Sequence, residues 1–314
     1  MTGRTIVLDT DLALGAPGSD VDDGFALALA LADPTLDLRL VTTVAGNTDV
    51  TSATTLSLRL LEMVGRPDIP VVRGAAGPLL DPARVRPADP AVLEHFGRGT
   101  PAPGYAPAAI ADLVLARPGE VTVVAIGPLT NVATALVLDP RVAGAVREIV
   151  VMGGYFLGQM GDAGTSGEFN IWSDPDAAHV VLHSGAPLRF VGLDVTYRVH
   201  LDEARCRELA ARDTAFARLA GEAALAWVEA LRTRHPGSAV RGLVHLHDPL
   251  AVAAVTHPEL LTWHDAAVEV VRDGVGRGIT VADLRRREDP PPANARIALE
   301  VDTDAFLALL LAAL

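Results

Sequence analysis

Residues 5–23 read TIVLDTDLALGAPGSDVDD. Thr5 to Asp9 is a β-branched apolar run that stops at an acid. A Gly/Pro loop then leads to Asp20-Val21-Asp22-Asp23 at the head of an Ala/Leu-rich segment. Strand, loop and 3.6-period helix make the opening unit of an α/β sheet. The rhythm recurs: residues 38–44, 70–72, 122–126, 148–152 and 188–191 read as strands, and 23–32, 51–64, 108–117, 131–138 and 176–184 as helices. Continuous apolar strands alternating with helices predict an open, mainly parallel, Rossmann-like sheet covered by helices on both faces. After Tyr197 the pattern turns helical, over 202–234 and 248–255, with late strands at 263–271 and 296–301 and a hairpin turn at 274–278. This reads as a helical elaboration of the C-terminal half. No linker or repeat separates the halves, so residues 1–314 are expected to form one domain. Gly and Pro crowd 73–107, the pattern of a long functional loop or lid.

The chain has 314 residues, half of them apolar, with 26 basic against 39 acidic side chains and a formal charge of −13. That balance argues against nucleic-acid and anionic-membrane partners. There is no lysine, which removes Schiff-base chemistry and the P-loop lysine. A single cysteine, Cys206, excludes a disulfide framework and fits a reducing compartment. Residues 305–314, AFLALLLAAL, supply about half the ~20 residues of a membrane span, so they read as a terminal helix docked on the core and capped near Asp302. The first ten residues lack a secretory pattern, and a soluble cytoplasmic protein is the expectation.

Ligands of an open α/β sheet bind beyond the carboxyl ends of its strands. There the sequence places Asp9, Asp11, Asp20, Asp22 and Asp23. Acids at a helix start serve as N-caps, a role that suits Asp20 and Asp22. It does not explain an apolar strand running straight into two more carboxylates, which packed together would repel and take up protons. A hard divalent cation, Ca²⁺ or Mg²⁺, resolves the repulsion. Other strand ends contribute Gly46-Asn47, Gly127-Pro128-Leu129-Thr130-Asn131, Glu168-Phe169-Asn170 and His245-Leu246-His247-Asp248-Pro249. Taken singly these have bland roles, Asn47 as a turn residue and Asp248 as an N-cap before Pro249. Together they gather carboxylates, amides and a histidine on one edge, which suits a neutral polyhydroxylated ligand.

These blocks resemble the inosine-uridine preferring nucleoside hydrolase family. Asp9-Thr10-Asp11 with Asp22-Asp23, Thr43 to Asn47, Gly127 to Asn131, Val151 to Gly154, Glu168-Phe169-Asn170 with Asp174-Pro175, His247-Asp248-Pro249 and Gly278 to Asp283 follow the family order over nearly the whole chain. The resemblance implies a calcium-dependent hydrolase that cleaves the N-glycosidic bond of ribonucleosides, assembled as a homodimer or homotetramer. It implies that Asp11 is both a Ca²⁺ ligand and the base for the attacking water. Asp23 and Asp248 would be further ligands, with the backbone carbonyl of Thr130. Asp22, Asn47, Glu168 and Asn170 would hold ribose hydroxyls, and His247 would protonate the departing base.

Two departures from the family stand out. Residues 12–21 make a longer loop than the family's short turn, so Asp20 could take the role assigned to Asp22. Asp162 stands where an Asn is usual, and would accept from a sugar hydroxyl. Trp172, Trp227 and His235 are candidates for the base pocket, Trp172 foremost because it adjoins the Glu-Phe-Asn block. His245 reads as structural. His179 and His183, four apart on one helix, have no visible acid partner and read as a solvated or packed face. A haloacid-dehalogenase-type phosphatase also carries Asp-x-Asp after its first strand, but it wants a lysine and leaves the later blocks unexplained. A ribosyl-binding sensor of the same fold is the other alternative.

Overall fold

The computed structural model describes residues 3–97, 99–158, 165–234, 242–285, 289 and 291–314. Its strands are β1 (Arg4–Thr10), β2 (Leu36–Thr43), β3 (Val71–Arg73), β4 (Thr122–Ala125), β5 (Glu148–Met152), β6 (Leu188–Val191), β7 (His200–Asp202), β8 (Leu243–His245), β9 (Leu261–Val270), β10 (Thr280–Asp283) and β11 (Ala295–Val301). The first eight helices are α1 (Asp22–Ala32), α2 (Val50–Met63), α3 (Pro90–Phe96), α4 (Ala106–Ala116), α5 (Thr130–Leu138), α6 (Arg141–Ala145), α7 (Phe169–Ser173) and α8 (Pro175–Leu182). They are followed by α9 (Leu193–Thr196), α10 (Glu203–Ala210), α11 (Ala215–Arg234), α12 (His247–Thr256) and α13 (Thr303–Ala313).

Nine strands build one sheet in the order β10-β9-β11-β6-β5-β4-β1-β2-β3. It is parallel from β11 to β3, and β9 and β10 close one edge antiparallel. Burial on both faces explains the unbroken apolar strands. Along β1, Ile6 and Leu8 pack with Phe25 of α1, Leu250 of α12 and Phe306 of α13. Val7 points the other way, toward Ile110 of α4, Val132 of α5 and Val181 of α8. The apolar C-terminal segment is the expected docked helix, with Asp302 accepting from the Ala305 amide as its cap. Among the described residues no helix is long and apolar enough to cross a membrane.

Three local expectations are revised. Residues 73–107 are not one open loop: Asp89 caps α3 with Pro90 at its first turn, a start signal already present in the sequence. The C-terminal half conceals a small antiparallel ribbon, β7 with β8. Neither Asp20 nor Asp22 caps α1, whose cap position is Val21, and Asp248 lies inside the first turn of α12 rather than at its cap.

The strand order locates the ligand site. From β1 the chain winds outward through β2 and β3, and from β4 it winds the opposite way through β5 and β6. The carboxyl ends of β1 and β4 therefore flank the topological switch point, where open sheets leave a crevice.

Candidate active site

Asp11 follows the last residue of β1 and is fully buried at the floor of that crevice. It is wedged between two glycines: a Cβ on Gly46 would lie 1.9 Å from its Oδ2, and one on Gly127 would lie 3.0 Å from its Oδ1. The Asn47 amide donates to Oδ2 at 2.6 Å. Oδ1 has no hydrogen-bond partner among the described residues. Asp23 accepts from the Thr10 hydroxyl and, at 3.3 Å, from the Asn47 side-chain amide. Asp22 accepts from the Asp248 backbone amide at 2.9 Å, joining the starts of α1 and α12. Asp22, Asp23 and Asp248, all buried, each offer an oxygen within 4.8 Å of the others.

The electrostatics follow from this crowding. Burial, then the facing Asp23 charge, pushes Asp11 well above the usual carboxylate range. Burial pushes Asp22 and Asp248 up as well, reinforced first by Asp20 for Asp22 and first by Asp22 for Asp248. Burial also carries Asp23 up to about 6, against the hydrogen bonds from Thr10 and Asn47. No arginine enters the hydrogen bonds of these four carboxylates among the described residues. The cluster needs either protons or a cation. Asp9 lies one layer beneath, where its Oδ1 accepts from Thr42 at 2.6 Å and from Asn131 at 2.8 Å, tying β1 to β2 and α5.

A cavity of about 610 Å³ opens over the cluster, and Asp22, Asn47, Glu168, Asn170, His247 and Asp248 line it. Glu168 caps α7, accepting from the amides of Asn170, Ile171 and Gly154 at 2.8, 3.0 and 3.2 Å. Asn170 gives its side-chain amide to the carbonyls of Ile126 at 3.0 Å and Met152 at 3.3 Å. His247 places Nδ1 2.7 Å from the Thr196 hydroxyl. Burial, then neighbouring His245, holds His247 well below the usual histidine range, so the ring is neutral at pH 7. Tyr197 packs edge-on against it, ring centroids 5.6 Å apart.

Two residues singled out from the sequence lie elsewhere. Thr130, like the buried Asp11 and Asp23, is not on the cavity wall, and its own groups are engaged elsewhere: its hydroxyl donates to Asp174 at 2.7 Å and its carbonyl accepts from Thr134 inside α5. The β4 end reaches the cavity through Ile126 instead. Trp172 faces away, stacked under the Arg84 guanidinium at 4.0 Å with its carbonyl taken by Arg277. The tryptophan on the wall is Trp227, which shares one face of α11 with Leu231 and Arg234 at helical spacing, a signal the sequence did hold. Residues 17–20 of the long loop form part of the wall, as does Arg86. Asp162 and His235 lie outside the described residues.

The fold and the acid-floored cleft are those of the glycosidases that act on N-glycosyl compounds. The non-specific ribonucleoside hydrolase RihC of Salmonella typhi is 37% identical over 314 residues, covering 96% of this chain and 94% of that protein. Among solved structures, the plant nucleoside hydrolase PpNRh1 superposes with a TM-score of 0.87 at 31% identity, over 98% of this chain and 97% of that one. A purine-preferring ribonucleoside hydrolase from Gardnerella vaginalis gives 0.84 at 27% identity, over 99% and 98%. The chain belongs to the inosine-uridine preferring nucleoside hydrolase family, whose sequence model matches residues 6–308.

Proposed function

We propose that the protein hydrolyses the N-glycosidic bond of ribonucleosides to free base and ribose, with Ca²⁺ held by the acidic cluster. The observation that carries this reading is a set of four carboxylates packed together without a cationic partner among the described residues, one of them, Asp11, with an Oδ1 that no described residue bonds. The donor set is all oxygen, which suits a hard cation. Asp11, Asp22, Asp23 and Asp248 would hold it, with Ile126 rather than Thr130 the residue from β4 at the cavity. When bound, Ca²⁺ supplies the positive charge that keeps these acids ionised and lowers the pKa of nearby water.

The chain's own groups do the rest. Asp11 accepts the proton of the attacking water. Asp22, Asn47 and Glu168 face ribose hydroxyls, and Asn170, whose Nδ2 is engaged by backbone carbonyls, offers Oδ1. Asp162 accepts a further sugar hydroxyl. Carboxylates beneath the sugar favour the positive charge that grows as the bond to the base breaks. His247, oriented by Thr196, takes up a proton and, as the imidazolium, passes it to the departing base. The cleft draws on residues from Pro17 to Asp248, which supports residues 1–314 acting as one unit.

The test is to strip metal from the purified protein with a chelator, restore Ca²⁺, and assay free ribose from a panel of purine and pyrimidine nucleosides. Ribose release that vanishes on chelation and returns with Ca²⁺ is expected. No ribose from any nucleoside, or release indifferent to chelation, would overturn the reading.

A further inference from the structure

A second group of metal-ligating side chains lies at the far end of the sheet. β9 runs antiparallel to β11, so Glu269 near its end lies at the amino edge of the parallel strands, away from the cleft. His183, which ends α8 just before β6, lies at the same edge. No acid partner for the His179/His183 pair is visible along the sequence, and the structure supplies one. The two rings lie 4.2 Å apart, and His179, His183 and Glu269 each offer a ligand atom within 4.8 Å of the others.

The protons settle what this group lacks. His183 Nδ1 lies 2.9 Å from the His179 carbonyl, and a ring nitrogen facing a carbonyl must carry the hydrogen. The neutral ring then has a bare Nε2, yet that atom lies 3.2 Å from Glu269 Oε1, a second acceptor. Two acceptors at that distance require a cation, either a proton on Nε2 or a metal ion between them. Zn–N and Zn–O bonds of about 2.0–2.2 Å at a tetrahedral angle set neighbouring ligands about 3.3–3.5 Å apart, close to the separation found. An N–H given to a backbone carbonyl is also the usual support of a metal-bound histidine. The nearby Arg272 lies 3.5 Å from Asp176, which offsets its charge.

We propose that His179, His183 and Glu269 bind a borderline divalent cation of the Zn²⁺ type, with water completing the shell, and that the ion clips α8 to β9. Imidazole selects Zn²⁺ over Ca²⁺, whereas the all-carboxylate cluster selects the hard ion, so the two sites can be titrated separately. The proposal is independent of the catalytic reading.

The experiment is a Zn²⁺ titration of the whole protein in saturating Ca²⁺, followed by calorimetry, metal analysis after dialysis, and thermal melting. Wild type is expected to retain one Zn²⁺ per chain more than the His179→Ala/His183→Ala double variant. Its Tm should rise with Zn²⁺ while that of the double variant stays flat, because a ligand that binds only the folded state stabilises it. Glu269→Gln should weaken Zn²⁺ binding about tenfold or more. Ribose release in Ca²⁺ without Zn²⁺ should be unchanged in all three proteins. Equal Zn²⁺ content in wild type and double variant, or no Zn²⁺ retained in the presence of Ca²⁺, would overturn the site. Binding without any rise in Tm would overturn the clip.

Discussion

Gly46→Ala tests the placement of Asp11 without removing a polar atom. A Cβ there would sit 1.9 Å from Asp11 Oδ2, 2.7 Å from its Cγ and 2.7 Å from Pro128 Cδ. The φ of Gly46 lies outside the left-handed region, so alanine meets a steric conflict rather than backbone strain. Ordinary contact begins near 3.4 Å, and the carboxylate must therefore retreat by about 1.5 Å. The retreat pulls Oδ2 off the Asn47 amide, a bond to a charged group worth about 1.5–3 kcal/mol. A misplacement of about 1 Å at a reacting group can lower a rate about 100-fold, which is about 2.7 kcal/mol of barrier. Overpacking costs about 1–3 kcal/mol of stability, which leaves a domain of this size folded. The expected result is a fall in kcat/KM of about 100-fold or more with a native circular-dichroism spectrum and a modestly lower Tm. Gly144→Ala is the control: no atom of the described residues lies within 4 Å of that Cβ, and activity should not change. Free ribose released from inosine and from uridine is the readout. If folded Gly46→Ala kept kcat/KM within about threefold of wild type, Asp11 would not be the group on which turnover depends.

Asp11→Asn should lower turnover about 10²–10⁴-fold, and Ca²⁺ repletion after chelation should restore wild type but not the variant; a fully active variant would remove the base assignment. His247→Ala should slow inosine and uridine far more than a p-nitrophenyl riboside, whose leaving group needs no proton, and equal slowing of all three would exclude the acid role. Trp227→Ala should raise KM for nucleosides by about tenfold through loss of base stacking, whereas Trp172→Ala should act on Tm and leave KM alone; the reverse pattern would place the base against the wrong tryptophan. Cys206 is fully buried and its thiol is pushed up to about 11, so an alkylating reagent at neutral pH should label it only after denaturation. Rapid labelling of the native protein, followed by mass spectrometry, would contradict that burial.

The sheet was legible because its strands are buried on both faces and carry little besides β-branched and aliphatic residues. The acid cluster was legible for a related reason: Asp11, Asp22 and Asp23 each stand at a strand end or a helix start, and parallel topology brings such positions to one edge. What the sequence did not disclose is direction. Trp172 adjoins the Glu-Phe-Asn block, but Glu168 caps a helix of five residues, and within it Asn170 points to the cavity while Trp172 turns toward Arg84. Thr130 likewise opens α5 beside the cleft, yet its hydroxyl is drawn to Asp174, the cap of α8.

Pairings distant along the chain were the other blind spot. Glu269 stands 86 residues from His183, on a strand whose register is set by β11 and β10 rather than by its own spacing. Helical periodicity could show that His179 and His183 share a face, but not what faces them. The same limit applied to the loop of residues 12–21, whose length suggested a changed pocket without saying how. In the fold Pro17 to Asp20 form wall, opposite Trp227 and Arg234 of α11, and Arg234 approaches Gly18 so closely that a Cβ there would meet its guanidinium at 2.6 Å. The loop between β1 and the buried acids thus docks on the helical elaboration of the other half of the chain. On the proposed reading, the contact between this loop and α11 bounds the base side of the nucleoside, across the cavity from the ribose-facing acids.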